Sequence, residues 1–116
     1  MKLKMTSHTE ADANKMILIC AIGLLEALKS RLLTTNECEQ YLFSPYSTSI
    51  LERKGIDRKV LEIIEFAWEL EDVESLRPER LDANIDDLID KAKECLKRME
   101  YDPDFNVERK WLDEDQ

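Results

Sequence analysis

Met16-Ile-Leu-Ile-Cys-Ala-Ile-Gly-Leu-Leu25 is an unbroken run of ten residues without a charged or amide side chain, in a chain where charged residues are 37 % of the total. A transmembrane helix needs roughly 20 apolar residues, so a run of this length suits a buried core helix or the central region of a signal peptide. The flanks oppose a signal peptide. Glu10 and Asp12 precede the run, the start is not strongly basic, and Glu26, Lys29 and Arg31 stand where small cleavage-site residues belong. The run therefore reads as the middle of a central helix, residues 10–32, in a cytoplasmic protein that makes no membrane contact. Being apolar almost all round, that helix is expected to be surrounded by the others, each large aliphatic side chain contributing about 1.5–3 kcal/mol on full burial. Gly23, which costs about 1 kcal/mol relative to Ala inside a helix, reads as a close helix crossing.

The rest of the fold is read outward from this helix. Ser7-His-Thr-Glu10 offers the side-chain acceptors and first-turn acid of a helix start. Thr34-Thr-Asn-Glu37 has capping-box spacing, and a short second helix is expected to run to about Phe43. Ser44-Pro45 reads as a cap followed by Pro at the first helical position, opening a third helix that stops at Gly55. Asp57 can cap a fourth, whose Val60, Leu61, Ile64, Ala67 and Trp68 recur at helical spacing and mark its buried side. By Pro78 that helix must have ended or turned. A fifth helix follows from Leu81, with Ile85, Leu88, Ala92, Cys95 and Met99 alternating four and three apart in a lengthwise packing seam. Tyr41, Leu42, Phe43 and Tyr46 meet at a helix corner, where packing is the ordinary role of such a cluster.

With 116 residues, 43 % of them hydrophobic, two Gly and three Pro, the composition favours helices over strands and one domain over two. The expected fold is all-α, a compact bundle of about five helices in residues 1–101, followed by an acidic tail, 102–116, that is partly disordered or docked. That tail carries Phe105, Trp111 and Leu112 among its acids, and docking on its own domain is the expected use of those anchors. Cys20, Cys38 and Cys95 are odd in number and widely spaced, which suits reduced thiols in core packing rather than disulfides or a metal site.

Catalytic equipment is not visible. His8 is the one imidazole and lies near the start of the chain, where a helix-end role or none is expected, and it assembles no convincing Ser-His or Cys-His nucleophilic pair. There is no calcium loop, no Glu-x-x-His pattern and no Walker loop. Glu62, Glu65, Glu69 and Asp72 can be imagined around a divalent metal, but catalytic carboxylates need a cleft, and a solvated helix face offers none. The expectation is a protein that is not an enzyme, with no cofactor and no metal.

The charge is the unusual feature. From Glu62 to Asp90 eleven acidic residues face only Arg77 and Arg80, a balance of −9, equal to the net charge of the whole chain. Glu62, Glu65, Glu69 and Asp72 share one helical stripe, Glu71 and Glu74 continue the charge, and Asp82, Asp86 and Asp90 form a second stripe joined by Asp87. Like charges at such spacing oppose folding slightly and steer cationic partners. These ten residues form the candidate binding face, with Tyr46, Trp68 and Trp111 as possible anchors should they prove exposed. The expected partner is a basic protein. Direct nucleic-acid binding is opposed by the charge, and a monomer is favoured.

In size, class and charge the chain resembles the immunity proteins of bacterial toxin systems, of the contact-dependent growth inhibition and nuclease-bacteriocin types. Tyr41-Leu-Phe-Ser-Pro45 and Glu69-Leu-Glu-Asp-Val-Glu-Ser-Leu76 are also similar to stretches of an uncharacterised family of small bacterial proteins. The first resemblance implies neutralisation of a cognate toxin, a nuclease (RNase) domain, by occlusion of its basic cleft. Mimicry of DNA toward a transcription factor, or service as a homodimeric helical adaptor, are the alternatives.

Overall fold

The chain enters its first helix at Thr9, whose hydroxyl oxygen accepts the Asp12 amide at 3.1 Å. In the computed structural model, which describes residues 1–99 and 110–112, six α-helices and one 3-10 turn follow in order, with no strand among the described residues. They are α1 (Glu10–Lys29), α2 (Thr35–Tyr41), α3 (Pro45–Arg53), α4 (Arg58–Trp68), α5 (Leu70–Leu76), the turn Pro78–Arg80, and α6 (Leu81–Lys97). No described helix is long and apolar enough to cross a membrane.

Several boundaries follow directly from local chemistry. Thr34 and Glu37 exchange amide bonds in a full capping box, Thr34 taking the Glu37 N–H at 3.0 Å and Glu37 taking that of Thr34 at 3.1 Å. Ser44 caps α3 ahead of Pro45, and Asp57 caps α4 by accepting the Lys59 amide at 2.9 Å. Gly55 ends α3 at φ 80°, a left-handed conformation that costs glycine nothing. The end of α1 uses the same conformation at Arg31, φ 60°. There the Arg31 amide bonds Leu28 and the Leu32 amide bonds Ala27, the paired closure of a Schellman turn.

The core lies between α1, α4 and α6, closed at one end by the α2–α3 corner. Leu18 of α1 meets Val60, Ile63 and Ala92 at the other end, while Leu25, Leu28, Phe43, Ile64 and Ile85 belong to a larger cluster. Asn14 ties α1 to α4 with a buried side chain: its Oδ1 accepts the Asp57 amide at 2.9 Å while its amide nitrogen donates to the Glu10 carbonyl. Cys38 is buried, Cys20 and Cys95 are half-buried, and all three are free. Burial pushes the Cys38 thiol up to about 11, so at neutral pH it packs as a small hydrophobe.

Four expectations need correction. The central helix is not enclosed all round, because Ile19 is 45 % exposed and only one side of α1 meets other elements. Gly23 marks no close crossing: a Cβ built there meets nothing within 4 Å. The described residues hold six α-helices rather than about five, since the stretch from Arg58 to Leu76 is broken at Glu69, where an amide bond back to Phe66 tightens the last turn of α4. Trp68 leaves the core. It shares a side of α4 with Leu61 but is that helix's last residue, and 42 % of it stays exposed, while Ile63 is buried in the stripe instead.

The corner cluster divides in the same way. Phe43 is buried and Leu42 packs beside it, whereas Tyr41 and Tyr46 are exposed. Of the tail, Trp111 is half-buried and holds the start of the chain. Its indole N–H donates to Asp12 Oδ2 at 3.1 Å and its carbonyl accepts the Thr6 amide at 2.9 Å. Phe105 lies outside the described residues.

Candidate protein-binding face

The ten carboxylates singled out by the sequence do not form one free wall. On α6, Asp82 pairs with Arg31 at 2.9 Å, Asp86 with Lys29 at 2.6 Å and Asp87 with Lys91 at 3.0 Å. On α4, the single guanidinium of Arg58 is shared at 3.5 Å by Glu62 and Glu65. Local neutralisation is thus more extensive than the sequence suggests, because Lys29 and Arg31 sit at the end of α1 and reach α6 only through the packing of those two helices. The Lys29 ammonium is held above its ordinary range, first by its hydrogen bond to Asp86 and then by that carboxylate's charge.

What the pairing leaves over is concentrated at the α4–α5 junction. Glu69 and Asp72 have no cationic partner among the described residues, nor does Asp90 on α6. Glu74 accepts a hydrogen bond from the Thr35 hydroxyl at 3.0 Å, which joins α5 to α2 without cancelling its charge. Glu71 faces Glu39 of α2. The hydrogen bond between these two carboxyls, and then the charge of Glu39, raise the proton affinity of Glu71, with Asp72 and Glu74 adding to the effect.

Four aromatic side chains of α2–α4 are exposed, Tyr41, Tyr46, Phe66 and Trp68. Trp68 is the last residue before Glu69, so an apolar anchor and unpaired carboxylates are neighbours in the chain itself. Trp111 differs, because its indole N–H is already bonded to Asp12. His8 is exposed ahead of the Thr9 cap. Among the described residues no group of three or more His, Cys, Asp or Glu is placed to hold a metal ion.

The family model described as "Protein of unknown function (DUF3969)" matches residues 8–113. The chain belongs to that family. No curated protein and no solved structure matches it.

The Glu39–Glu71 contact makes this DUF3969 chain's stability depend on pH in a definite direction. A carboxyl whose proton affinity is raised on folding adds stability while it is protonated and loses that contribution as pH rises through its raised pKa. Glu71→Gln keeps a hydrogen-bond donor toward Glu39 and removes one charge. The variant is expected to melt slightly above the parent at pH 7, with the difference vanishing well below the ordinary glutamate pKa of 4.5. Thermal melts at pH 7 and about pH 3 measure this. A gap that is equal at both values would mean that the two carboxyls do not interact.

The sequence did not single out Phe66. It is 48 % exposed on α4, with the Lys91 ammonium 5.5 Å from its ring centroid. A legible signal was present, since Phe66 falls outside the apolar set Val60, Leu61, Ile64 and Ala67 and is flanked by Glu65.

Proposed function

We propose that the chain is an inhibitor of the immunity-protein kind, which binds a basic protein partner, a toxin nuclease (RNase) domain, and occludes its cationic cleft. The contact is made by the carboxylates of the α4–α5 junction: Glu69, Glu71, Asp72 and Glu74. The observation that carries this reading is that these four stay exposed without cationic partners among the described residues while the α6 carboxylates Asp82, Asp86 and Asp87 are paired inside the molecule. A surface that keeps like charges together in the folded state attracts cations from outside, which raises association rates and makes them dependent on salt. Trp68, exposed and next to Glu69 in the chain, supplies aromatic area of the kind that most often dominates binding energy.

Affinity purification from the native bacterium, with elution in high salt and mass spectrometry, is expected to yield a basic protein encoded next to this chain. With that partner in hand, the double variant Glu69→Lys, Asp72→Lys is expected to slow association by about tenfold or more and to flatten its salt dependence, with helical content unchanged. Reversal at Glu62 and Glu65, already shared with Arg58, is expected to do less. Association rates unchanged in the first variant would refute this placement of the contact.

A further inference from the structure

Along α4 and α5 each carboxylate of the acidic stripe is followed at once by an apolar residue: Glu62-Ile63, Glu65-Phe66, Glu69-Leu70 and Asp72-Val73. One residue turns a helix by about 100°, so within each helix the charged and apolar positions form two stripes running side by side. The apolar stripe borders α6. Ile63 and Phe66 line a cavity of about 470 Å³ with Cys95 and Met99, and Phe66, Leu70 and Val73 line another of about 240 Å³ with Leu88. Phe66 and Lys91 line both, so the cavities are two ends of one groove between α4–α5 and α6.

The two walls of the groove differ in charge. On the α6 wall, Asp87 is paired with Lys91 and Glu94 with Arg98, each pair one helical turn apart. On the α4–α5 wall, Glu62 has half a share in Arg58 and Glu69 has no cationic partner among the described residues, with Lys59 the only base lining that side. The floor is apolar, one wall is neutral and the other is negative. Phe66, half exposed in the middle, has the Lys91 ammonium 5.5 Å from its ring centroid.

We propose that this groove receives an amphipathic helix of the partner, apolar on the inserted face and lined with Lys or Arg along the edge that meets Glu62 and Glu69. This rests on the acidic-face reading above and gives the partner's contacting segment a definite chemistry. Helices bind in such grooves through apolar residues three and four apart, which is also the spacing of Ile63, Phe66, Leu70 and Val73. Ile63 and Phe66 lie on α4 and Leu70 and Val73 on α5, so the groove follows both helices across the break at Glu69.

The test uses the full chain, ¹⁵N-labelled, and two synthetic peptides of about 15 Leu and Lys residues and equal composition. One has Leu at helical spacing and the other alternates Leu with Lys. The first is expected to bind at low salt, to shift amide resonances of residues lining both cavities, and to bind about tenfold more weakly to Phe66→Ser, a loss of about 1.4 kcal/mol. Val73→Ser, at the other cavity, guards against a fold defect in the first variant, and circular dichroism checks the helical content of both. Equal binding of the two peptides with no loss in either variant would overturn the groove while leaving the charged face intact. No binding of either peptide would overturn both readings. Shifts confined to other surfaces, or groove shifts that grow with protein concentration in the absence of peptide, would also overturn the groove, the latter by making a second copy its occupant.

Discussion

Replacing Phe43 by Ala is expected to lower the stability of the domain by about 3–5 kcal/mol, the range for deleting a fully buried aromatic ring. Phe43 is 1 % exposed, and its amide donates to the Cys38 carbonyl at 2.9 Å, so ring and backbone are both fixed where α2 hands over to α3. Loss of the ring leaves a cavity that Leu42 and Leu51 can fill only by moving the corner. Domains of this size have about 5–15 kcal/mol in total, so the variant should unfold at much lower urea concentration. Tyr41 and Tyr46, two and three residues away, are exposed, and their Ala variants should fall within about 0.5 kcal/mol of the parent. Urea unfolding followed by circular dichroism compares all three. A Phe43→Ala midpoint indistinguishable from those of the tyrosine variants would show that the corner is not part of the core.

A second contrast lies within α1. Leu25→Ala should cost about 2–5 kcal/mol, because Leu25 is fully buried in the larger cluster and its removal opens a cavity. Ile19→Ala, six residues earlier in the same apolar run, should change stability by no more than about 0.5 kcal/mol, since the side chain is nearly half exposed and Ala is the better helix former. Guanidinium unfolding of the pair separates a one-sided helix from an enclosed one. Similar losses in both variants would mean that α1 is covered on its Ile19 side as well.

Much of the fold was legible because helix ends are local. The Thr34–Glu37 box, the Ser44-Pro45 start, the Gly55 stop and the Asp57 cap each depend on residues within a few positions of one another, and each stands where its spacing put it. The break at Glu69 left no such trace, since neither a proline nor a glycine lies there and α5 starts without a side-chain cap. Trp68 was misplaced for a related reason. Helical periodicity assigns a residue to a side of its helix, but whether that side is covered at the helix end depends on neighbours that periodicity does not contain.

The candidate site was less legible than the fold. Counting charges along the chain located the surplus between Glu62 and Asp90 but could not divide it. Asp82 and Asp86 are neutralised by residues some fifty positions earlier, brought alongside by the packing of α1 on α6. Glu69 and Asp72, though close in sequence to Arg77 and Arg80, find no cation among the described residues.

By itself, then, the amino-acid sequence determined the helical class, most helix boundaries and the sign of the charge, because capping, backbone propensity and ionisation act over a few residues. Only the tertiary structure decided which aromatic rings are buried, which carboxylates keep their charge unmatched, and that an apolar groove runs beside the acidic stripe. Those depend on which helix faces which. That choice is made by the cooperative burial of apolar surface across the whole core, and Coulomb interactions follow the distances it sets.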